Sequence, residues 1–216
     1  MAVTFTEPAE SAGSSHCPAQ PAEAIDTVID ALYAERSARS KSVDATLTKF
    51  GYPALRYAHD RGIRILLLTR SQRYCDASPA LLRLGIDVDA WPAPPAGLFV
   101  VEERTVYLRS QSSMTIAHEF AHGLDCALGN GVYRSGVDPE LRRFFADARS
   151  FVTPYQATGI DEFWAEAVRA FVECNDPSSH WPKATRARLQ RLQPEMYSYL
   201  ERILNFEIPQ HVHGAP

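Results

Sequence analysis

Residues 118 to 122 read His-Glu-Phe-Ala-His, two imidazoles four positions apart with a carboxylate beside the first. On a helix, positions i and i+4 lie one turn apart on one face. Both rings can therefore reach a single cation, while Glu119 stands next to the coordination position that the protein leaves open. Two imidazole nitrogens with an adjacent base suit zinc-assisted hydrolysis, in which Glu119 is the general base acting on an attacking water. At about 100° per residue, Ala117, Phe120, Ala121, Leu124 and Leu128 form one apolar face and His118, His122 and Asp125 gather on another, so the histidines point into a cleft. A structural zinc site would close its fourth position with Cys or His, and no such cluster accompanies the motif.

Two histidines and a water leave one protein ligand to find. The arrangement with a third histidine downstream fails, because Asp125 occupies its glycine position and Leu128 its histidine position. A helical carboxylate is the natural alternative. In Asp161-Glu162-Phe163-Trp164-Ala165-Glu166-Ala167, Glu162 and Glu166 share a face with Arg169, opposite Phe163, Trp164, Ala167 and Phe171. Spacing alone leaves both carboxylates open as the ligand, with an ion pair to Arg169 as the plain role of Glu166. Asp125, one turn beyond His122, either accepts the second N–H of a ligating imidazole or is a solvated surface residue.

The order His118-Glu119-Phe120-Ala121-His122-Gly123-Leu124-Asp125, then Tyr155, then Glu162 seven residues on at the head of Glu-Phe-Trp-Ala-Glu-Ala, resembles the catalytic domain of anthrax lethal factor and the related Pro-Pro endopeptidases. The match covers about residues 97 to 204, and the N-terminal half shows no motif that aligns. The resemblance implies a zincin-like fold of the gluzincin type. It implies one Zn²⁺ per chain held by His118, His122 and Glu162, with Glu166 behind the ligands and the Tyr155 hydroxyl reaching toward the attacking water or scissile carbonyl. The activity it implies is that of a zinc metalloendopeptidase with a peptide or protein substrate, in the role of a toxin or effector. Pro-Pro cleavage is not implied, since preferences within the family differ. By structural analogy the substrate lies extended along a hairpin of residues 98 to 108, whose exposed edge supplies main-chain hydrogen bonds. Trp91 and the adjacent prolines are either a wall of that cleft or a connector packed on the core.

The elements that must position these residues follow from periodicity and breakers. Pro21 and the stripe Ile25, Val28, Ile29, Leu32 predict a helix to about Arg36. A second helical stretch over 43–61, interrupted before Pro53, ends at Gly62, and a strand spans Ile63 to Thr69. Residues 75–95 read as a loop with at most a short helix at 79–84. Leu98 to Val101 and Thr105 to Leu108, flanking Glu102-Glu103-Arg104, predict a hairpin. Helices follow from Ser112 or Ser113 to about Leu128, then over 138–149, 159–174 and 182–204, the last started or kinked by Pro194. A few strands followed by several helices predict an α+β fold, a small mixed sheet with an edge hairpin packed on a mainly helical catalytic lobe. Residues 1–20, rich in Ala, Ser, Pro and Glu without periodicity, are expected to be a disordered tail. Residues 21–210 are expected to form one domain, with an N-terminal lobe to about 110 and the catalytic lobe over about 111–206.

A formal net charge of -4 gives no polycationic surface, so nucleic acid is not an expected partner. The longest strongly apolar run, Ile63 to Leu68 interrupted by Arg64, falls far short of the roughly 20 residues needed to cross a bilayer. No membrane contact is expected, and the protein is expected to be a monomer. The opening residues show neither a basic region nor an apolar run, so no conventional signal peptide is expected. The location is then cytoplasmic, or outside the cell by a leaderless route. Cys17, Cys75, Cys126 and Cys174 are scattered and read as small apolar residues. His211 and His213 read as a solvated pair, and His16, His59 and His180 have no evident partners. Two other readings stand beside the endopeptidase: an intracellular regulatory peptidase with the same chemistry, and a non-enzymatic zinc-stabilised interaction module. Glu119 argues against the module, because structural zinc needs no base there.

Overall fold

The computed structural model describes residues 22–35, 39–180 and 183–204. The expected tail of residues 1–20, with His16 and Cys17, and the pair His211 and His213 lie outside the described residues. Helix α1 (Ala22–Leu32) buries Val28, Ile29 and Leu32. It stops short of Arg36 because the chain leaves the helix to bond to the sheet, with Tyr33 bridging Ile65 and the Ala34 N–H donating to the Ile65 carbonyl at 2.9 Å. Helix α2 (Lys41–Leu47) and a 3₁₀ turn over Thr48–Phe50 precede α3 (Gly51–Asp60). The break falls at Gly51, whose φ is 77°, and Pro53 rides in the first turn of α3, where its missing N–H costs no helical bond.

Strand β1 (Arg64–Leu67) is followed by two short helices, α4 (Tyr74–Ala77) and α5 (Pro79–Leu84), and by a 3₁₀ turn at Val88–Ala90. The stretch expected as mainly loop is thus more ordered than its prolines suggest, and the reason is long-range. Asp89 accepts from the Tyr74 N–H at 2.8 Å, and the buried Tyr74 hydroxyl donates to the Pro95 carbonyl at 2.9 Å. Glu103 turns inward from the hairpin tip to accept from Ser78 Oγ, the Ala80 N–H and Tyr107 Oη at 2.8, 2.7 and 2.6 Å.

Strands β2 (Gly97–Val100) and β3 (Thr105–Leu108) form the expected hairpin, closed by a 3₁₀ turn over Val101–Glu103 and by Arg104. Strand β3 also pairs in parallel with β1, giving the order β1-β3-β2. Among the described residues β2 therefore presents the open edge of the hairpin, since β3 is paired on both sides. Helix α6 (Ser113–Leu128) begins after Ser112 and matches its expected span. A one-turn helix α7 (Arg134–Val137) leads into α8 (Pro139–Asp147), and α9 (Ile160–Phe171) packs along α6. The helix expected over 182–204 is two, α10 (Arg186–Leu192) and α11 (Pro194–Arg202), because Gln193 leaves helical geometry ahead of Pro194.

The fold is α+β, a small mixed sheet against a larger helical body. One apolar cluster extends from Val28 on α1 to Leu204, with Ile116, Phe120, Ala121 and Leu124 of α6 fully buried in it. Cys126 and Cys174 are buried free thiols within that cluster, and Cys75 is a partly exposed one. Among the described residues no helix is long and apolar enough to cross a membrane.

Asp138 caps α8 by accepting from the Glu140 and Leu141 N–H groups at 2.8 and 3.4 Å, and it also accepts from Tyr199 Oη at 2.7 Å and pairs with Arg134 at 3.1 Å. Burial opposes its charge, but these donors together hold its carboxyl below the usual range. Asp138→Ala should destabilise the fold by about 1–2 kcal/mol at neutral pH. A depressed carboxylate contributes its full stability above its unfolded pKa and loses it as pH falls through the folded one. The gap between wild type and variant, measured by urea unfolding, should therefore narrow below about pH 4.

Candidate metal centre

Helix α6 is held on both flanks, which fixes where its histidines point. Phe50 meets Phe120 edge-on with ring centroids 4.8 Å apart, and Trp164 of α9 donates its indole N–H to the Ala121 carbonyl at 2.9 Å. This second bond sets the axial register of α9 against α6. It brings the first turn of α9, with Glu162, opposite His118 and His122.

Three candidate ligand atoms then converge. His118 Nε2 lies 2.9 Å from Glu162 Oε2 and 3.2 Å from His122 Nε2, and His122 Nε2 lies 3.6 Å from Glu162 Oε2. A tetrahedral ion with bonds near 2.0–2.2 Å needs its ligand atoms about 3.3 Å apart, and these separations bracket that value. The donor chemistry agrees as well. Among the described residues Glu162 Oε2 is buried without an aligned hydrogen-bond donor, and the three atoms converge where a cation would satisfy all of them. Two imidazoles and a carboxylate fit Zn²⁺.

Glu166 occupies a different place from Glu162. Its Oε1 lies 2.9 Å from His118 Nδ1, and its Oε2 accepts from Thr153 Oγ1 at 2.6 Å. Arg169 grips both oxygens, at 2.9 Å from Nε and 2.7 Å from Nη2. The ion pair with Arg169 and the contact with the imidazole therefore coexist, and Glu166 meets His118 at the ring nitrogen that the cluster of three does not use. Tyr155, at the exposed rim, donates to Glu162 Oε1 at 3.0 Å, and its ring lies 5.5 Å from that of His118. Asp125 is neither solvated nor bonded to a histidine. It is fully buried, with both oxygens taken by the backbone N–H and hydroxyl of Ser135, and burial pushes its carboxyl up to about 6. Among the described residues His122 Nδ1 is buried without a partner.

The charges respond to this geometry. Burial works against a charged His118, yet its contacts with Glu162 and Glu166 push it up to about 10. Glu162 is held far below the usual carboxylate range, because the two imidazoles outweigh its own desolvation. Glu119 moves the other way, raised mainly by burial. A proton and a metal ion thus compete for the same imidazole nitrogen.

These groups floor a cleft of about 550 Å³ whose walls include Trp91, Leu98, Phe99, Met114, Tyr133 and Tyr155. Trp91 is 52% exposed on that wall rather than packed as a core connector. Glu119 lies under the open edge of β2, where a Cβ on Gly97 would come within 2.6 Å of its Cγ. Glycine at 97 is what lets the carboxylate sit against the strand. The roles of Gly97, of Tyr133, whose ring lies 5.6 Å from that of His122, and of Thr153 carry no spacing signal in the sequence. Only the fold brings them here. His59, beside Asp60, and the exposed His180 do not line the cleft.

No protein-family model matches the chain, and no curated protein matches it. Among solved structures, the Pro-Pro endopeptidase PPEP-2 from Paenibacillus alvei is similar with a TM-score of 0.58 and 22% sequence identity, over 82% of this chain and 99% of that one. At that identity the likeness establishes the shared fold.

Glu162→Ala removes a candidate ligand, whereas Glu166→Gln leaves all three candidate ligands in place and weakens the network with Arg169 and Thr153 that supports them. Zinc affinity, measured by competition with a chelator, should collapse in the first variant and fall about 10- to 100-fold in the second. The reverse order would make Glu166 the ligand.

Proposed function

We propose that this chain is a zinc-dependent endopeptidase binding one Zn²⁺ through His118, His122 and Glu162. The observation that carries the proposal is the convergence of those three ligand atoms beside Glu119, on the floor of a cleft bordered by an open strand edge. The shared fold with a solved endopeptidase supports it. When bound, Zn²⁺ acts as a Lewis acid and lowers the pKa of water from about 15.7 toward 7.

The residues divide the remaining work. Glu119, next to the ligands, takes a proton from the attacking water and returns it to the leaving amine. Tyr155 stays protonated, since burial first and then the neighbouring charge of Glu162 raise its hydroxyl far above neutrality. It can therefore donate to the oxyanion of the tetrahedral intermediate. Glu166, clamped by Arg169 and Thr153, holds the His118 ring in one orientation. The substrate is a peptide or protein segment that adds to the edge of β2 through main-chain hydrogen bonds, with Trp91, Met114 and Tyr133 as side-chain walls. Those walls, rather than the fold, set the cleavage preference, so a Pro-Pro site does not carry over from the solved neighbour. An effector role outside the producing cell is compatible with this chemistry and is a separate proposal.

Incubation with a diverse peptide library, read by mass spectrometry, tests the reading. Wild type should cleave, chelation should stop it, and added zinc should restore it. Glu119→Ala should keep zinc and lose cleavage by several orders of magnitude, and Tyr155→Phe should retain a reduced rate with little change in KM. Full activity in Glu119→Ala would remove the mechanism. A wild type that binds zinc but cleaves nothing would favour the zinc-stabilised interaction module.

A further inference from the structure

A second, smaller cavity of about 180 Å³ lies at the C-terminal end of α6, lined by Arg61, Arg104, Cys126, Ala127, Asn130 and Gly131. Two arginines line it. Arg104 takes a left-handed backbone at the hairpin tip, φ 51°, and donates through Nη1 to the Arg61 carbonyl at 2.9 Å. Arg61 stacks over the Tyr57 ring at 4.8 Å and bonds to the side-chain oxygen of Asn130, itself at φ 57°. Gly131, at φ 102°, closes the wall, and a Cβ there would stand 3.1 Å from Arg104 Nη2.

Two arginines on one cavity call for a counter-charge, and a chain of net charge -4 has carboxylates to spare. None is used here. Among the described residues no Asp or Glu forms an ion pair with Arg61 or Arg104. The acids adjacent in sequence are engaged elsewhere, Asp60 by Arg56 and His59, and Glu103 by Ser78, Ala80 and Tyr107. The last carbonyls of α6 do not need the arginines as hydrogen-bond caps, although its negative end favours positive charge there. The carbonyls of Asp125, Cys126 and Ala127 already accept from the N–H groups of Gly129, Gly131 and Asn130.

We propose that this cavity binds a free tetrahedral oxyanion, phosphate or sulfate, between Arg61 and Arg104. Guanidinium forks match the oxygens of such an ion, and a cavity of about 180 Å³ has room for it. The site joins the end of α3, the hairpin tip and the last turn of α6. A bound anion therefore ties the sheet to the helix that carries His118 and His122, and does so whether or not the chain is a peptidase.

The test is thermal unfolding of the full chain in phosphate or sulfate against chloride, at matched pH and ionic strength. At ten times the dissociation constant, wild type should gain roughly 3–6 °C, a gain that Arg61→Gln with Arg104→Gln removes and Arg143→Gln, at an exposed position, retains. No gain in wild type, or an equal gain in the double variant, would overturn the site. Should the double variant not fold, phosphate titration of wild type followed by amide resonances decides. Saturable shifts centred on Asn130 and Gly131 support the site, and their absence overturns it.

Discussion

The buried pair of Arg169 and Glu166 is the constraint on which the rest of the centre depends. Both side chains are almost wholly removed from water, and two charges taken that far inside repay their desolvation only if every polar atom finds a partner. Here the partners are supplied from separate parts of the chain: Thr153 from the loop before α9, His118 from α6, and the Cys174 carbonyl, which accepts from Arg169 Nη1 at 3.0 Å. Removing one charge from such a pair costs about 3–5 kcal/mol, because its partner is stranded. The network is thus a lock with one key, and only one relative placement of α6, α9 and the flanking loops satisfies it. Glu162, one turn earlier on α9, is aimed by that lock.

What the sequence disclosed about the centre, and what it withheld, follows from the range of the interactions involved. His118, Glu119 and His122 are fixed by helical spacing alone, so their juxtaposition was legible. Glu162 and Glu166 share a face, and spacing left their roles open. The separation comes from tertiary contacts, since Arg169 and Thr153 claim Glu166 and leave Glu162 facing the imidazoles. Asp125 departs from both sequence expectations for a related reason. A carboxylate one turn beyond a histidine has two equally local destinies, and the structure gives it a third through Ser135, on a short helix that no periodicity announced.

The fold shows the same division. Long amphipathic segments such as α1, α6 and α9 were legible because a face three turns long imposes its own period. The order of residues 74–90 was not, since it rests on Glu103 and Asp89 reaching back to Tyr74, Ser78 and Ala80. Proline-rich composition predicts the absence of local hydrogen bonding, and it is silent about partners supplied from a distant hairpin.

The edge of β2 is short for a reason written at both of its ends. Upstream, Pro92, Pro94 and Pro95 have no N–H to offer a neighbouring strand, and downstream the chain leaves extended geometry at Val101–Glu103 and turns at Arg104. Four residues of apolar edge make a poor template for the open-ended sheet growth that longer edges invite. If a substrate strand adds to that edge, as proposed, the same brevity makes it a filter on folding state, since a segment has to be unpaired and locally extended to dock there. On that reading, frayed and well-folded proteins would be told apart before any side chain is read.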